Sequence, residues 1–221
     1  MADLRACEQC GAMFAPRREH ARFCSARCRV AWNREHARPQ AARATALDWS
    51  ITAMRDVTGR LRRVRAADQP RVLAAISEAV WWVTIVDSTL VRYHPAVYDS
   101  ILAGQSPAER RLIEGTLAGL RFVRNQMGLH LDPADFICLV TGRPRGDGDR
   151  GPAWTWKSVP EPPLGSLPPS GQAWERTRHS AYQAQLAGHP VAETFGRAAE
   201  FLTRTAARAD LRHQHQPAAR R

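Results

Sequence analysis

Four of the five cysteines crowd into the first 28 residues, as Cys7-x2-Cys10 and, after thirteen residues, Cys24-x3-Cys28. A stretch this short cannot bury enough apolar surface to fold alone, so something else must hold it together. Two close thiol pairs at this spacing point to tetrahedral thiolate ligation of one structural zinc ion, in preference to two disulfides or four free thiols. The start of the chain lacks the charged segment, apolar stretch and small-residue cleavage site of a secretory signal, so a reducing cytoplasm is expected. Gly11, just after the first pair, leaves the backbone unhindered where its N–H groups can face the sulfurs. Phe14 and Phe23 can cap the metal. Ser25 precedes a helix expected from about Ala26 to Pro39, which puts Cys28 in its first turn, where the helix dipole favours a thiolate. His20 and His36 are the substitute ligands should one cysteine not bind.

Phe23-Cys24-Ser25-Ala26-Arg27-Cys28-Arg29, together with the upstream Cys-x2-Cys, resembles the treble-clef-like FCS zinc fingers of bacteria over about 35 residues. The resemblance implies zinc and that finger shape, and leaves DNA, RNA or protein open as the ligand. Arg17, Arg18, Arg22, Arg27, Arg29 and Arg34 surround the cysteines, and Trp32 lies on the following helix. Guanidinium groups and an indole suit phosphate contact and base stacking; for Trp32 the competing expectation is packing against the rest of the chain.

Charge sharpens the choice of partner. The 221 residues carry 32 basic and 21 acidic side chains, a net +11, and all the basic ones except Lys157 are arginine. An arginine bias alongside many alanines is also what a GC-rich genome produces. Residues 1–45, however, hold nine arginines against four acids. The excess gathers around the cysteines, so nucleic acid is the expected partner. With 44% hydrophobic and 24% charged residues the chain is no disordered polyelectrolyte. Its longest apolar run, Val80 to Val91, is short for a membrane span and carries Asp87, so no membrane partner is expected.

The fold class expected is mainly α: a helical bundle with a small N-terminal zinc finger and a Pro/Gly-rich arm leading to a C-terminal helix pair. The divisions are residues 1–38 (finger), 39–46 (polar, alanine-rich hinge), 47–140 (helical domain), 141–171 (arm), 172–211 (helix pair) and 212–221 (disordered basic tail). Apolar periodicity predicts helices over 47–66, with Ile51, Met54, Val57, Leu61 and Val64 inward, and over 70–92. A third opens at Ser106-Pro107-Ala108-Glu109, with Ser as N-cap, Pro at N1 and Glu at N3, and runs to about Leu129. Residues 93–105 read as a connection, and Asp132-Pro133 as the start of a short helix through Leu139. The arm holds six glycines and seven prolines, and its Trp154-Thr155-Trp156 is expected to pin it to the helices.

Stepping about 100° per residue round the third helix places Arg124 within its apolar arc and His130 at the arc's edge. The same wheel on the second helix places Asp87 in the middle of the apolar face. A carboxylate and a guanidinium on buried stripes are costly unless they meet, so Asp87 is expected beside Arg124, either as a buried pair that only fixes helix register or as part of a site. Arg124-Asn125-Gln126-Met127-Gly128-Leu129-His130 resembles the R-x(4-6)-H signature of the HEPN superfamily of helical, nucleic-acid-associated domains, and Ala79 to Asp87 resembles that family's acid-bearing helix. The resemblance spans about Leu47 to Leu139 and implies a metal-independent ribonuclease working as a homodimer, with His130 as acid/base, Arg124 as phosphate clamp, Asn125 as orienting group and Asp87 holding Arg124. Such a residue set suits attack by the RNA 2′-OH on the adjacent phosphate. Two other readings remain: a non-catalytic zinc-finger regulator of DNA or adaptor whose helices dimerise, and an effector neutralised by a protein partner.

Overall fold

The structure, a computed structural model, describes residues 4–16, 21–36, 40–64, 66–127, 131–141, 151–165 and 167–214, with positions 34–36, 40–45 and 210–214 described by backbone alone. The chain divides into two compact units, 1–46 and 47–221. In the first, β1 (Arg5–Ala6) and β2 (Met13–Phe14) pair antiparallel, Arg5 opposite Phe14 and Ala6 opposite Met13. The turn between them closes through Gly11, whose φ of 73° lies in the left-handed region that other residues enter at a cost. Helix α1 (Ala26–His36) starts where the Ser25 hydroxyl accepts the Cys28 N–H at 3.2 Å, an N-cap.

The second unit is a helical bundle, as the periodicity predicts. Helix α2 (Gln40–Arg63) supplies Met54, Val57 and Leu61 to the core, with Ile51 and Val64 half-buried at its margin. Residues 40–46, expected as a hinge, are the first turns of this helix, consistent with the high helix propensity of their alanines. Helix α3 (Gln69–Tyr93) begins at an Asp68 cap. It is long and apolar enough by composition to cross a membrane, yet ten of its residues, Asp87 among them, are buried within the bundle. The expected 93–105 connection is largely a helix, α4 (Pro95–Ala103), started by Pro95 in its first turn.

Helix α5 (Pro107–Gln126) starts at the expected Ser106 cap and is covered on two faces. Ile113, Leu117 and Leu120 belong to the face the wheel identifies, while Gly119 and Phe122 are buried on another, against the helix α6 (Pro169–Gln185). A Cβ at Gly119 would lie 3.1 Å from the Tyr182 Cα and 2.7 Å from Leu186 Cδ1. Gly119→Ala is therefore expected to destabilise by about 1–3 kcal/mol, although alanine is the better helix former. Urea unfolding of the variant measures it.

After a 3-10 turn (Pro133–Phe136) the chain forms β3 (Ile137–Val140) where a helix to Leu139 was expected. The partner of β3 is β4 (Ala153–Trp156), inside the arm, with Ile137 opposite Trp156 and Val140 opposite Ala153. Both tryptophans pin the arm. The Trp154 indole donates to the Ala66 carbonyl at 3.1 Å, and the Trp156 indole to the hydroxyl of Thr194 at 3.1 Å on helix α7 (Val191–Gln214). Trp156, Phe122 and Phe136 surround Tyr182 with ring centroids 5.4–6.2 Å from it, an aromatic cluster that ties α5, the hairpin and α6 together. Residues 212–214, assigned to a disordered tail, continue α7.

Candidate metal centre

The four cysteine sulfurs come together. The Sγ atoms of Cys7, Cys10, Cys24 and Cys28 all lie within 4.8 Å of one another. Cys24 is central, with its sulfur 3.7 Å from that of Cys10 and 3.5 Å from that of Cys28. Four thiolates about 2.3 Å from a tetrahedral ion have S···S edges of about 3.8 Å, so the cluster has the size such an ion requires. No S–S bond links them. Local structure explains the convergence. The β1–β2 turn brings Cys7 and Cys10 to one side, with the Cys7 N–H donating to Ala12 O and the Gly11 N–H to Cys7 O. The Ser25 cap places Cys28 in the first turn of α1, and the Cys24 N–H donates to the Cys7 sulfur at 3.4 Å.

The electrostatics fit a site built for a cation. Burial pushes the Cys7 thiol up, but backbone N–H groups of Cys24, Cys10 and Gln9 outweigh it and hold the thiol at about 6. Hydrogen bonding to the sulfurs of Cys28, Cys10 and Cys7 pushes the Cys24 thiol up to about 12. Four sulfurs this close cannot all carry charge without a positive ion among them.

The surrounding arginines divide by what they touch. Arg22 forks onto the Glu8 carboxylate, and its guanidinium lies 4.7 Å from the Trp32 ring centroid and 5.6 Å from that of Phe23. Phe23 and Trp32 also contact each other, at 5.6 Å. Arg22 and Trp32, expected as ligand contacts, thus clamp the loop before α1 to the Glu8 turn. Arg27 and Arg29 are exposed on α1, without an ion pair among the described residues. Arg17 and Arg18 lie outside the described residues, as does the side chain of Arg34.

In the helical unit the expected meeting of Asp87 with Arg124 does not occur. Fully buried Asp87 accepts from the Tyr98 hydroxyl at 2.8 Å and from Arg121 Nε at 2.7 Å. Burial pushes its carboxyl above the ordinary range, against the pull of the Arg121 guanidinium and the Tyr98 hydroxyl. Burial and the adjacent carboxylate likewise push the Tyr98 phenol up. Arg124 is exposed although Leu117, two turns earlier on the wheel, is buried.

Arg124 has a different neighbourhood. Its Nε and Nη2 donate to the Asn125 amide oxygen at 3.3 and 3.0 Å, and the Asn125 amide nitrogen donates to Glu175 Oε1 on α6 at 2.6 Å. Glu175 is buried and also accepts from Arg178 Nη1 at 2.6 Å and, more weakly, from Gln126 Nε2 at 3.5 Å. Tyr98, Arg121, Glu175 and Arg178 were not singled out from sequence, and only the periodicity that puts Arg121 beside an apolar face hinted at any of them. His130 lies outside the described residues.

Compared with protein-family models, curated proteins and solved structures, the chain shows no match.

Proposed function

We propose that the chain is a zinc-finger protein that binds nucleic acid, RNA in preference to DNA, through the finger. The observation that carries the reading is the four-sulfur cluster with Cys28 on the first turn of α1, whose neighbours Arg27 and Arg29 stand exposed and unpaired among the described residues. An all-thiolate tetrahedron of this size suits zinc. The metal fixes α1, and α1 presents two guanidinium groups to phosphates. With Arg22 engaged by Glu8, the contact set narrows to Arg27 and Arg29 plus the undescribed Arg17, Arg18 and Arg34.

Fluorescence anisotropy with a single-stranded RNA and the DNA of the same sequence tests this. The double variant Arg27→Gln, Arg29→Gln is expected to weaken RNA binding about tenfold and to flatten the slope of log K against log salt by about 1.4, two contacts at about 0.7 each. Wild-type affinity and slope in the variant, or no RNA binding by the zinc-loaded protein, exclude the reading.

A second reading places metal-independent RNA cleavage by a homodimer at the end of α5. Its support is the relay in which Glu175 holds Asn125 and Asn125 holds the exposed Arg124 guanidinium, the geometry of an oriented phosphate clamp. Asp87 has no part in it, since Arg121 and Tyr98 occupy its carboxylate. Incubation with RNA in EDTA decides it: cleavage by wild type that is lost in Arg124→Ala and His130→Ala supports the reading, and intact RNA, or equal cleavage by all three proteins, removes it.

A further inference from the structure

The helical unit contains a cavity of about 610 Å³ that neither the finger nor the end of α5 uses. Its size falls within the roughly 300–1,000 Å³ of small-molecule sites. Its floor is apolar: Ile76 of α3, Ile113 of α5 and Phe201 of α7 face it, each nearly fully buried. The arm supplies a wall, Pro152 to Trp154, with the Trp154 indole anchored on Ala66 O. The Pro/Gly-rich segment thus encloses a space that the helices alone would leave open.

The lining carries three arginines and three glutamates, and no ion pair joins any of them among the described residues. Arg62, Arg197 and Arg204 line the cavity, and none has a carboxylate partner among the described residues, even though Glu193 and Glu200 stand four residues before Arg197 and Arg204 on α7. At that spacing such pairs can close, for a gain of about 0.2–0.5 kcal/mol each. Of the three acidic lining residues, Glu109 and Glu193 occupy the first turns of α5 and α7, where helix N-termini offset their charge, and Glu109 also accepts from the Ser106 hydroxyl. Arg62, in the last turn of α2, is offset in the same way, while Glu200, Arg197 and Arg204 sit in mid-helix without such an offset. The Arg62 guanidinium crosses from α2 to lie over Gly196, its Nη2 only 2.8 Å from where a Cβ would stand. The absent side chain at 196 admits Arg62 to the cavity face of α7, one residue from Arg197.

We propose that this cavity binds an amphipathic organic anion, with its apolar body on the Ile76–Ile113–Phe201 floor and its carboxylate, sulfonate or phosphate between Arg62 and Arg197. A guanidinium fork answers such a head group, and burying the body supplies the remainder of the affinity.

Calorimetric titration of the full-length protein with dodecanoate, dodecanol and 8-anilinonaphthalene-1-sulfonate tests the proposal. One saturable site is expected for the two anions, with dodecanoate bound at least about tenfold more tightly than dodecanol, since the two differ in the head group alone. In Arg62→Gln, Arg197→Gln that preference is expected to disappear, while Arg124→Gln, at the far end of α5, keeps it. The substituted side chains lie at the solvent edge, and an unchanged unfolding midpoint confirms that the variant is folded. Gly196→Leu provides an independent check, because a side chain at 196 displaces Arg62 and should lower dodecanoate affinity by a comparable factor. No saturable site for either anion, equal affinity for dodecanol and dodecanoate, or a preference that survives loss of both arginines would overturn the proposal.

Discussion

A Cys24→Ser, Cys28→Ser double variant is expected to lose its metal and the fold of the N-terminal unit together. Among the described side chains before Ala46 the only buried apolar one is Cys7, itself a member of the cysteine cluster, so those side chains form no separate core. Structural zinc contributes about 10–16 kcal/mol in small thiolate and imidazole fingers. Wild type should release one zinc per chain to a mercurial titrant, and the variant none. In amide correlation spectra the signals of residues 4–36 should collapse while those of α3 to α7 stay dispersed. The proton count gives a further check. With the Cys24 thiol pushed up to about 12, it holds its proton at neutral pH until a metal displaces it, so zinc uptake at pH 7 must release protons and weaken as pH falls. Dispersed finger signals in the metal-free variant would show that the cysteines do not hold the unit.

Arg121→Gln carries the second large effect. It strands a carboxylate that is fully buried, leaving Asp87 with the Tyr98 hydroxyl alone. Breaking a buried pair costs about 3–5 kcal/mol, and since a third of the Arg121 side chain is exposed the low end applies, about 3 kcal/mol. For a bundle of this size that is about 6–12 °C in Tm. Adding Asp87→Asn to the same chain should recover part of the loss, because it removes the stranded charge. The pH dependence has a definite sign. The folded-state pKa of Asp87 is raised, so between its unfolded and folded values the native state binds more protons than the unfolded, and stability falls as pH rises. Losing Arg121 raises that pKa further, so the penalty in Arg121→Gln should shrink on going from pH 7 to pH 5, while the double variant Asp87→Asn, Arg121→Gln should show no such gain. A penalty independent of both pH and the side chain at position 87 would mean that Arg121 acts by packing alone.

These two sites also show what a sequence of this kind discloses. The cysteine cluster was legible because its sulfurs are placed by local chemistry: two tight spacings, a glycine turn and a serine cap. The helices α2, α3, α5, α6 and α7 were legible from periodicity. A helical wheel, however, reports the face of a residue and says nothing of where along the axis a neighbouring helix stops. That is why Asp87 was matched to Arg124, whereas the guanidinium that reaches it belongs to Arg121, one turn earlier. Helix α4 was missed because residues 93–105 were read as a connection, although the proline at 95 is a regular first-turn residue of a helix. The strand β3 is a four-residue apolar run that periodicity cannot assign, and its partner lies inside a segment whose glycines and prolines argued against regular structure. Glu175 stands fifty residues from Asn125, beyond any local pattern.

The arm has a bearing on the order in which the chain folds. Its anchors come from separate places: Ala66 before α3, Phe136 and β3 after α5, His189 between α6 and α7, and Thr194 on α7. None of these is near the others until the helices have assembled, so the arm has no template to dock on beforehand. It is therefore expected to dock after the helices have met, through the β3–β4 ladder and its two indoles. Amide exchange at Trp154 and Trp156 should therefore outpace that at Leu120 and Phe201, and any molecule in the space beneath would slow it.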